Sequence, residues 1–296
     1  MGGLGSNRNE ATVLAFSVLG QRLEFECADA TLTELVVADS PGLPCNTDGR
    51  AQGPAVRYSV TGDARSFALH RPGGRALVGA GGAAFLSLLE HDLTVELQRR
   101  RPDLLFLHSA ALDWQGRACL LVAGSGVGKS TTAWALLHHG CGYLSDELAP
   151  IDIASLNVHP YPRALCLKDV PKGYPPPAAA VDLGITTHIP PTSFPGMPVY
   201  EPKPLSAIFL LRRMRASGAA PEIRALAPAE AAARLYVHAL NPLAHGNGGL
   251  DAVSQIAARV PCFHMGLAEL PASCALIQAT VAATVAATAK NGDLTR

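Results

Sequence analysis

The sequence predicts an α/β protein in two parts: a smaller β-rich region over residues 1–100, and a larger domain over 101–296 built around a phosphate-binding loop. Three observations predict it. Short apolar runs broken by turn clusters fill the first hundred residues, longer unbroken apolar runs begin at Leu104, and a glycine-rich run, Gly124 to Ser130, sits between one such run and a helical pattern. At 296 residues and 48% hydrophobic content, the chain is long and apolar enough to bury a sizeable core.

Taken in order, Val13–Leu19, Leu23–Cys27, Ala55–Val60 and Phe67–His70 read as strands, separated by turns such as Ser40-Pro41-Gly42 and Pro72-Gly73-Gly74. Residues 83–100 place Phe85, Leu86, Leu89, Leu93 and Leu97 at helical spacing and end in arginines, which predicts a helix leading into the second part. Leu104–Leu107 and Ala118–Ala123 read as buried, mostly parallel strands, with a helix over Ser130–His139. Residues 171–204 are rich in proline and read as a long irregular loop. Beyond it, Ser206–Leu211 predicts a strand, Pro228–Leu240 a helix, and Val260–Leu267 a last strand.

Charge narrows the function classes. Lys plus Arg (24) equal Asp plus Glu (24), and the densest basic run is Arg99–Arg101, so neither nucleic acid nor an anionic membrane is an expected partner. The seven cysteines, at 27, 45, 119, 141, 166, 262 and 274, never form a CxxC pair. They fit neither a disulfide framework nor a zinc site and are expected to be small buried apolar residues in a reducing compartment. No window is expected to supply the roughly 18 apolar residues that span a bilayer, so a cytoplasmic location is expected. Met1 to Ser6 formally match a myristoylation signal, but the expectation is a flexible glycine-rich terminus.

The run Arg117–Val122 leads into Ala123-Gly124-Ser125-Gly126-Val127-Gly128-Lys129-Ser130, with Thr131 and Thr132 opening the helix behind it. Strand, glycine loop and helix come in the order that phosphate binding requires. Glycines let successive backbone N–H groups point at one phosphate, and the helix N-terminus adds partial positive charge. Lys129 would reach the β- and γ-phosphates of a nucleoside triphosphate and Ser130 would ligate magnesium. The usual first glycine is replaced by Ala123.

Asp146 and Glu147 follow Lys129 by 17 and 18 residues, after a three-turn helix, a Gly140-Cys141-Gly142 turn and a short strand. That length returns the chain to the same edge of the sheet, so the carboxylates are expected to face the phosphates and serve as metal ligand and proton acceptor. His108 precedes Lys129 by 21 residues, on a strand expected to lie near the one that feeds the loop.

The stretch Leu107–Ile151, with His108-Ser109-Ala110, the glycine loop and Leu144-Ser145-Asp146-Glu147 in this order, resembles the HPr kinase/phosphorylase catalytic domain. The resemblance implies a mixed, strongly twisted sheet of the kind shared with phosphoenolpyruvate carboxykinase. It also implies ATP and Mg2+ as cofactors, Asp146 as the base toward a serine hydroxyl, Glu147 at the metal, and His108 orienting the acids or the phosphate. The chain looks closer to the HPr kinase-related proteins of peptide-maturation clusters, including lasso-peptide kinases, whose Pro-Arg-x-x-x-x-Lys stretch is matched by Pro162-Arg163 through Lys168. Arg163 and Lys168 would then neutralise charge on the transferring phosphoryl group.

Glu147 stands where HPr kinases commonly carry Asp, and no Glu-x-Arg-Gly-x-Gly segment follows. The implied activity is therefore phosphoryl transfer to a serine of a peptide or protein; the two departures speak against HPr as the acceptor and against phosphorylase activity, whose existence stays open. HPr kinases are hexamers; for this chain a homo-oligomer stays open. Two alternatives also stay open: a nucleotide-gated peptide-binding module, and a small-molecule kinase or carboxykinase-like enzyme. His159, His188 and His238 are expected to be structural or exposed.

Overall fold

The computed structural model describes residues 11–39, 43–44, 54–214 and 220–293. The N-terminal glycine run, the turn at Ser40 to Gly42 and Cys45 lie outside them. The chain is a mixed α/β protein that forms two compact units, Met1–Leu97 and Gln98–Arg296.

The first unit contains β1 (Thr12–Val18), β2 (Gln21–Cys27), α1 (Ala30–Asp39), β3 (Leu43–Pro44), β4 (Val56–Asp63), β5 (Ser66–His70), β6 (Leu77–Gly79) and α2 (Gly82–Arg100). Its six strands form one sheet in the order β3-β1-β2-β4-β5-β6. Leu19 and Gly20 both take positive φ, 50° and 74°, as a two-residue hairpin between β1 and β2 demands. Helix α1 is absent from the sequence expectation. Its β-branched Thr31, Thr33, Val36 and Val37 weaken the helical signal, but Asp29 caps it, accepting from the Leu32 amide at 2.8 Å. The helix buries Leu32, Leu35 and Val36 and carries the chain from β2 to the parallel β4.

The second unit opens with β7 (Leu104–Leu107), β8 (Ser109–Trp114), β9 (Arg117–Val122), α3 (Lys129–His138), β10 (Gly142–Ser145) and β11 (Ala149–Asp152). It continues through β12 (Asn157–Val158), β13 (Leu165–Leu167), β14 (Val181–Asp182), β15 (Thr187–Ile189), β16 (Lys203–Arg213) and β17 (Glu222–Ala225). It closes with α4 (Pro228–Tyr236), α5 (Leu250–Arg259), β18 (Cys262–Leu267) and α6 (Leu270–Asp293). Nine strands form one sheet, in the order β10-β8-β9-β16-β12-β11-β7, with β18 and β17 continuing from β16.

Strand alternation feeds two cores. Ala118, Leu120, Val122, Ile208 and Leu210 pack on one face with Ala231, Leu235, Val253 and Ile256 of α4 and α5. Cys119, Leu121, Phe209 and Leu211 pack on the other with Trp134 and Leu136 of α3 and with Cys274, Ile277 and Val281 of α6. Because both faces are covered, these strands read as unbroken apolar runs whatever their direction. Direction is thus where the expectation fails. The pairings β8–β9, β8–β10 and β7–β11 are antiparallel, and within this unit only β9–β16 and β16–β18 among the described strands run parallel. The cause of the β8–β9 hairpin is local: Gln115 and Gly116 take φ of 53° and 81°.

Three further expectations change. The proline-rich stretch 171–204 is not irregular throughout, since β14 and β15 join β13 in a three-stranded sheet with Cys166 opposite His188. The helix from Pro228 ends at Tyr236, four residues early. Helices α5 and α6 were not expected at all, and Leu270–Ala287 within α6, with a mean hydropathy of 1.6, is long and apolar enough by composition to cross a membrane. In the fold, the face of α6 carrying Cys274, Ile277 and Val281 packs into the core beside α3. Alanine and threonine between these larger side chains hide its periodicity. All six described cysteines are free, and all but the half-buried Cys166 are buried.

Candidate functional site

The glycine-rich loop leaves β9 at the middle of the nine-stranded sheet and enters α3 directly. Gly126 and Gly128 hold φ of 80° and 115°, and a single backbone bond, from the Val127 amide to the Gly124 carbonyl at 3.4 Å, spans the turn. No side chain caps α3, and the amide of Thr132, bonded to the Gly128 carbonyl at 2.8 Å, opens the helical ladder. The amides of Lys129, Ser130 and Thr131 precede that bond, so the helix presents uncapped donors and its positive dipole end to the loop. Gly124, Ser125 and Gly126 are exposed, while Val127, Gly128, Ser130 and Thr131 are half-buried.

Gly128→Ala is expected to cost about 1–2 kcal/mol, because a Cβ there meets only Leu267 at 3.5 Å and the penalty is the left-handed backbone itself. Gly124→Ala, with open space and no left-handed φ, should stay within about 0.5 kcal/mol. Thermal unfolding of the two variants checks this, and equal losses would contradict it.

The acids return to Lys129 by the helix, turn and short strand that the spacing suggested, but His108 arrives by a different route. His108 does not lie on a neighbour of the loop strand: β7 pairs with β11, and it is β8 that pairs with β9. The stretch from Leu104 to Trp114 runs antiparallel to the stretch from Gly142 to Asp152, and both break their ladder at the same level. Ala149 stands opposite Leu107 and Ser145 opposite Ala111, so the gap brings His108 level with Glu147 and Leu148. Glu147 takes φ of 72°, a left-handed conformation unusual for its residue type, which turns its side chain out of the strand direction.

There the residues converge. Lys129 Nζ donates to Asp146 Oδ1 at 3.0 Å and to Glu147 Oε1 at 2.6 Å, and His108 Nε2 lies 2.7 Å from Glu147 Oε2. Lys129 and Asp146 are buried, with side chains 7% and 1% exposed, whereas Glu147 at 45% faces solvent. Burial opposes the charge on Lys129, but the two carboxylates outweigh it and raise the ammonium above its ordinary range. Burial likewise opposes ionisation of Glu147, and the bond to His108 with the Lys129 charge outweighs it and holds the carboxyl well below the usual range.

A depressed carboxyl contributes stability above its unfolded value and loses it as pH falls; a raised ammonium contributes below its unfolded value and loses it as pH rises. The network should therefore stabilise the fold from about pH 5 to about pH 10 and fade outside that window at both ends. Urea unfolding across pH, with Glu147→Gln as reference, measures it: the variant should flatten the acid limb, and an unchanged limb would contradict the assignment.

The Pro162–Lys168 stretch reaches the same place from another side. The Tyr161 amide bonds the Leu144 carbonyl at 2.8 Å, which ties this strand to β10 just before Asp146. Arg163 is buried, and its guanidinium lies 3.6 Å from Cys166 Sγ. Lys168 is exposed and donates to Ser125 Oγ at 3.1 Å, across the glycine loop. Arg212, at the end of β16, is taken up by an ion pair with Glu222.

One residue set aside on sequence grounds belongs here. The His108 amide donates to the His238 carbonyl at 2.8 Å, and the two imidazoles meet edge to face at 6.4 Å. Burial, then the charges of His108 and Lys129, lower the His238 imidazole below its ordinary range. No motif spacing announces it, because 130 residues separate the two histidines.

The donor set suits a nucleotide and a hard divalent cation. Ser130 and Glu147 offer oxygen ligands, and Asp146 Oδ2 is buried without a hydrogen-bond partner among the described residues. His188 lies apart, against Cys166 and Thr186 on the small sheet, and His159 packs near Asp103 and Asp152.

No family model matches this chain, and no curated protein matches it. Among solved structures, the HPr(Ser) kinase/phosphatase from Coxiella burnetii is a distant neighbour, with 14% identity, a TM-score of 0.35, and coverage of 64% of this chain and 95% of that one.

Proposed function

We propose that this protein is an ATP- and Mg2+-dependent kinase that transfers the γ-phosphoryl group to a serine hydroxyl of a peptide or protein. One observation carries the reading: Lys129, on the first turn of an uncapped helix behind a glycine loop, bridges Asp146 and Glu147, and His108 braces Glu147 from the far side. Binding alone needs no buried carboxylate with a free oxygen, and Asp146 supplies one.

In this reading the backbone amides from Gly124 to Thr131 bind phosphate oxygens, with Gly126 and Gly128 giving the loop its curl. Lys129 exchanges its carboxylate partners for phosphate, which frees Asp146. Ser130 and Glu147 hold the metal, and His108 keeps Glu147 ionised and oriented. Asp146 Oδ2 accepts the proton of the acceptor hydroxyl. Arg163 and Lys168, from the strand beside the loop, offset charge on the transferring group. Nucleotide and metal together supply the transferable group and the countercharge. The rest is positioning, which this constellation is built to provide.

The test is transfer of label from γ-labelled ATP, with magnesium, to serine-containing peptides, run beside Asp146→Asn. Label on serine that disappears in the variant supports the kinase. Tight nucleotide binding with no transfer to peptide or water would replace it with a nucleotide-gated binding module.

A further inference from the structure

Between Leu235 and Leu250 the chain carries no Asp, Glu, Lys or Arg. It is also unusually exposed for its composition: Tyr236 40%, Val237 76%, Leu240 41%, Leu243 91% and Leu250 46%. Apolar side chains exposed in this way along one surface segment of a fold mark an interaction site more often than chance.

The segment is held in shape. An added Cβ on Gly248 would lie 3.9 Å from the Tyr236 hydroxyl, and one on Gly249 would lie 2.8 Å from Pro242, so the two ends of the stretch fold against each other. Asn247, Gly248 and Gly249 run through consecutive left-handed conformations to make that return. Asn241 fastens the middle, accepting from the Phe106 amide at 2.9 Å and donating to the Leu104 carbonyl at 2.8 Å.

Its position says what covers it. Leu107 bridges to Ala239, the Leu240 amide donates to the Phe106 carbonyl at 2.8 Å, and the His108 amide donates to the His238 carbonyl at 2.8 Å. The apolar segment is therefore laid along β7, and one bond joins it to the histidine that holds Glu147. In the kinase reading, the residues that flank an acceptor hydroxyl at Asp146 lie near His108, and beyond the Glu147 carboxylate the neighbouring surface there is this stretch without Asp, Glu, Lys or Arg.

We infer that Tyr236, Val237, Leu240 and Leu243 form the docking face for the acceptor, and that the acceptor is a peptide segment whose residues beside the serine are apolar and uncharged. This rests on the kinase reading for the identity of the site but is tested by binding, without transfer. An apolar occupant gains by covering exposed leucine and valine, whereas a charged one would lose hydration with no countercharge in the stretch to replace it.

The experiment uses the full chain with magnesium and a non-hydrolysable ATP analogue. Two short fluorescein-labelled peptides are titrated by anisotropy: one serine flanked by leucine and valine, and the same serine flanked by glutamate and lysine. The apolar peptide should bind at least about tenfold more tightly, and Val237→Asp and Leu243→Asp should each weaken it about tenfold with nucleotide affinity unchanged. Because both positions are exposed, neither substitution should unfold the protein, and circular dichroism verifies that.

Equal affinity for the two peptides, or variants that bind the apolar one as well as the parent, would overturn the inference. So would a concentration-dependent dimer that Leu243→Asp dissociates, since the face would then belong to a second copy. Peptide binding that obeys these expectations without any phosphoryl transfer would sink only the kinase reading.

Discussion

Asp146→Asn is expected to lower phosphoryl transfer about 10²- to 10⁴-fold, the range usual for removing a positioned general base, while nucleotide affinity stays within about twofold. The amide is isosteric with the carboxylate and keeps an oxygen to accept from Lys129, so the 3.0 Å bond and the 1% exposed site survive the change. What is lost is the capacity of Oδ2 to take a proton, and among the described residues that oxygen has no hydrogen-bond partner to fall back on. The loss should fall on kcat far more than on KM, because a proton acceptor works in the transition state. A variant that binds nucleotide tenfold less well but turns over normally would show that Asp146 positions rather than accepts.

Lys129→Met should do two things at once, and their combination is the diagnostic. Losing a charge-assisted donor to phosphate should weaken nucleotide binding about 10- to 100-fold. The same change strands Asp146 in the interior without its counterion, which should destabilise the apoprotein by about 3 kcal/mol, since a buried charge left alone costs more than the pair was worth. Glu147, which faces solvent, can recover hydration and adds little to that cost. The double variant Lys129→Met with Asp146→Leu should regain most of the stability without regaining affinity. Recovery of neither, by urea unfolding and nucleotide titration, would contradict a buried pair between these two residues.

Much of this site was legible in the chain because its parts are local. The strand, glycine turn and helix start around Gly124 to Ser130 are legible because the residues that make them are neighbours in sequence. Asp146 and Glu147 follow by a counting argument, as one helix and one short strand fill the 17 residues back to Lys129. Periodicity likewise located β1, β2, β5, α2 and β16.

Strand direction was not legible, because a sheet covered by α3 and α6 on one face and by α4 and α5 on the other makes every strand apolar on both sides. Helix α6 was hidden for a related reason: its core face of Cys274, Ile277 and Val281 is diluted by alanines that suit either environment. Nor could the sequence show that Arg163 is buried while Lys168 reaches out to Ser125, since both read as cations beside one strand.

The sequence alone thus determined the glycine-rich turn between a strand and a helix, the acid pair at its distance, and a two-part α/β chain, because each depends on residues within one or two elements of each other. Only the tertiary structure decided that His108 meets Glu147 across a shared break in two antiparallel ladders, and that His238 and an uncharged apolar segment lie beside them. Those contacts span from 39 to about 140 residues of chain, and register and packing, not local preference, choose which distant residues share an edge.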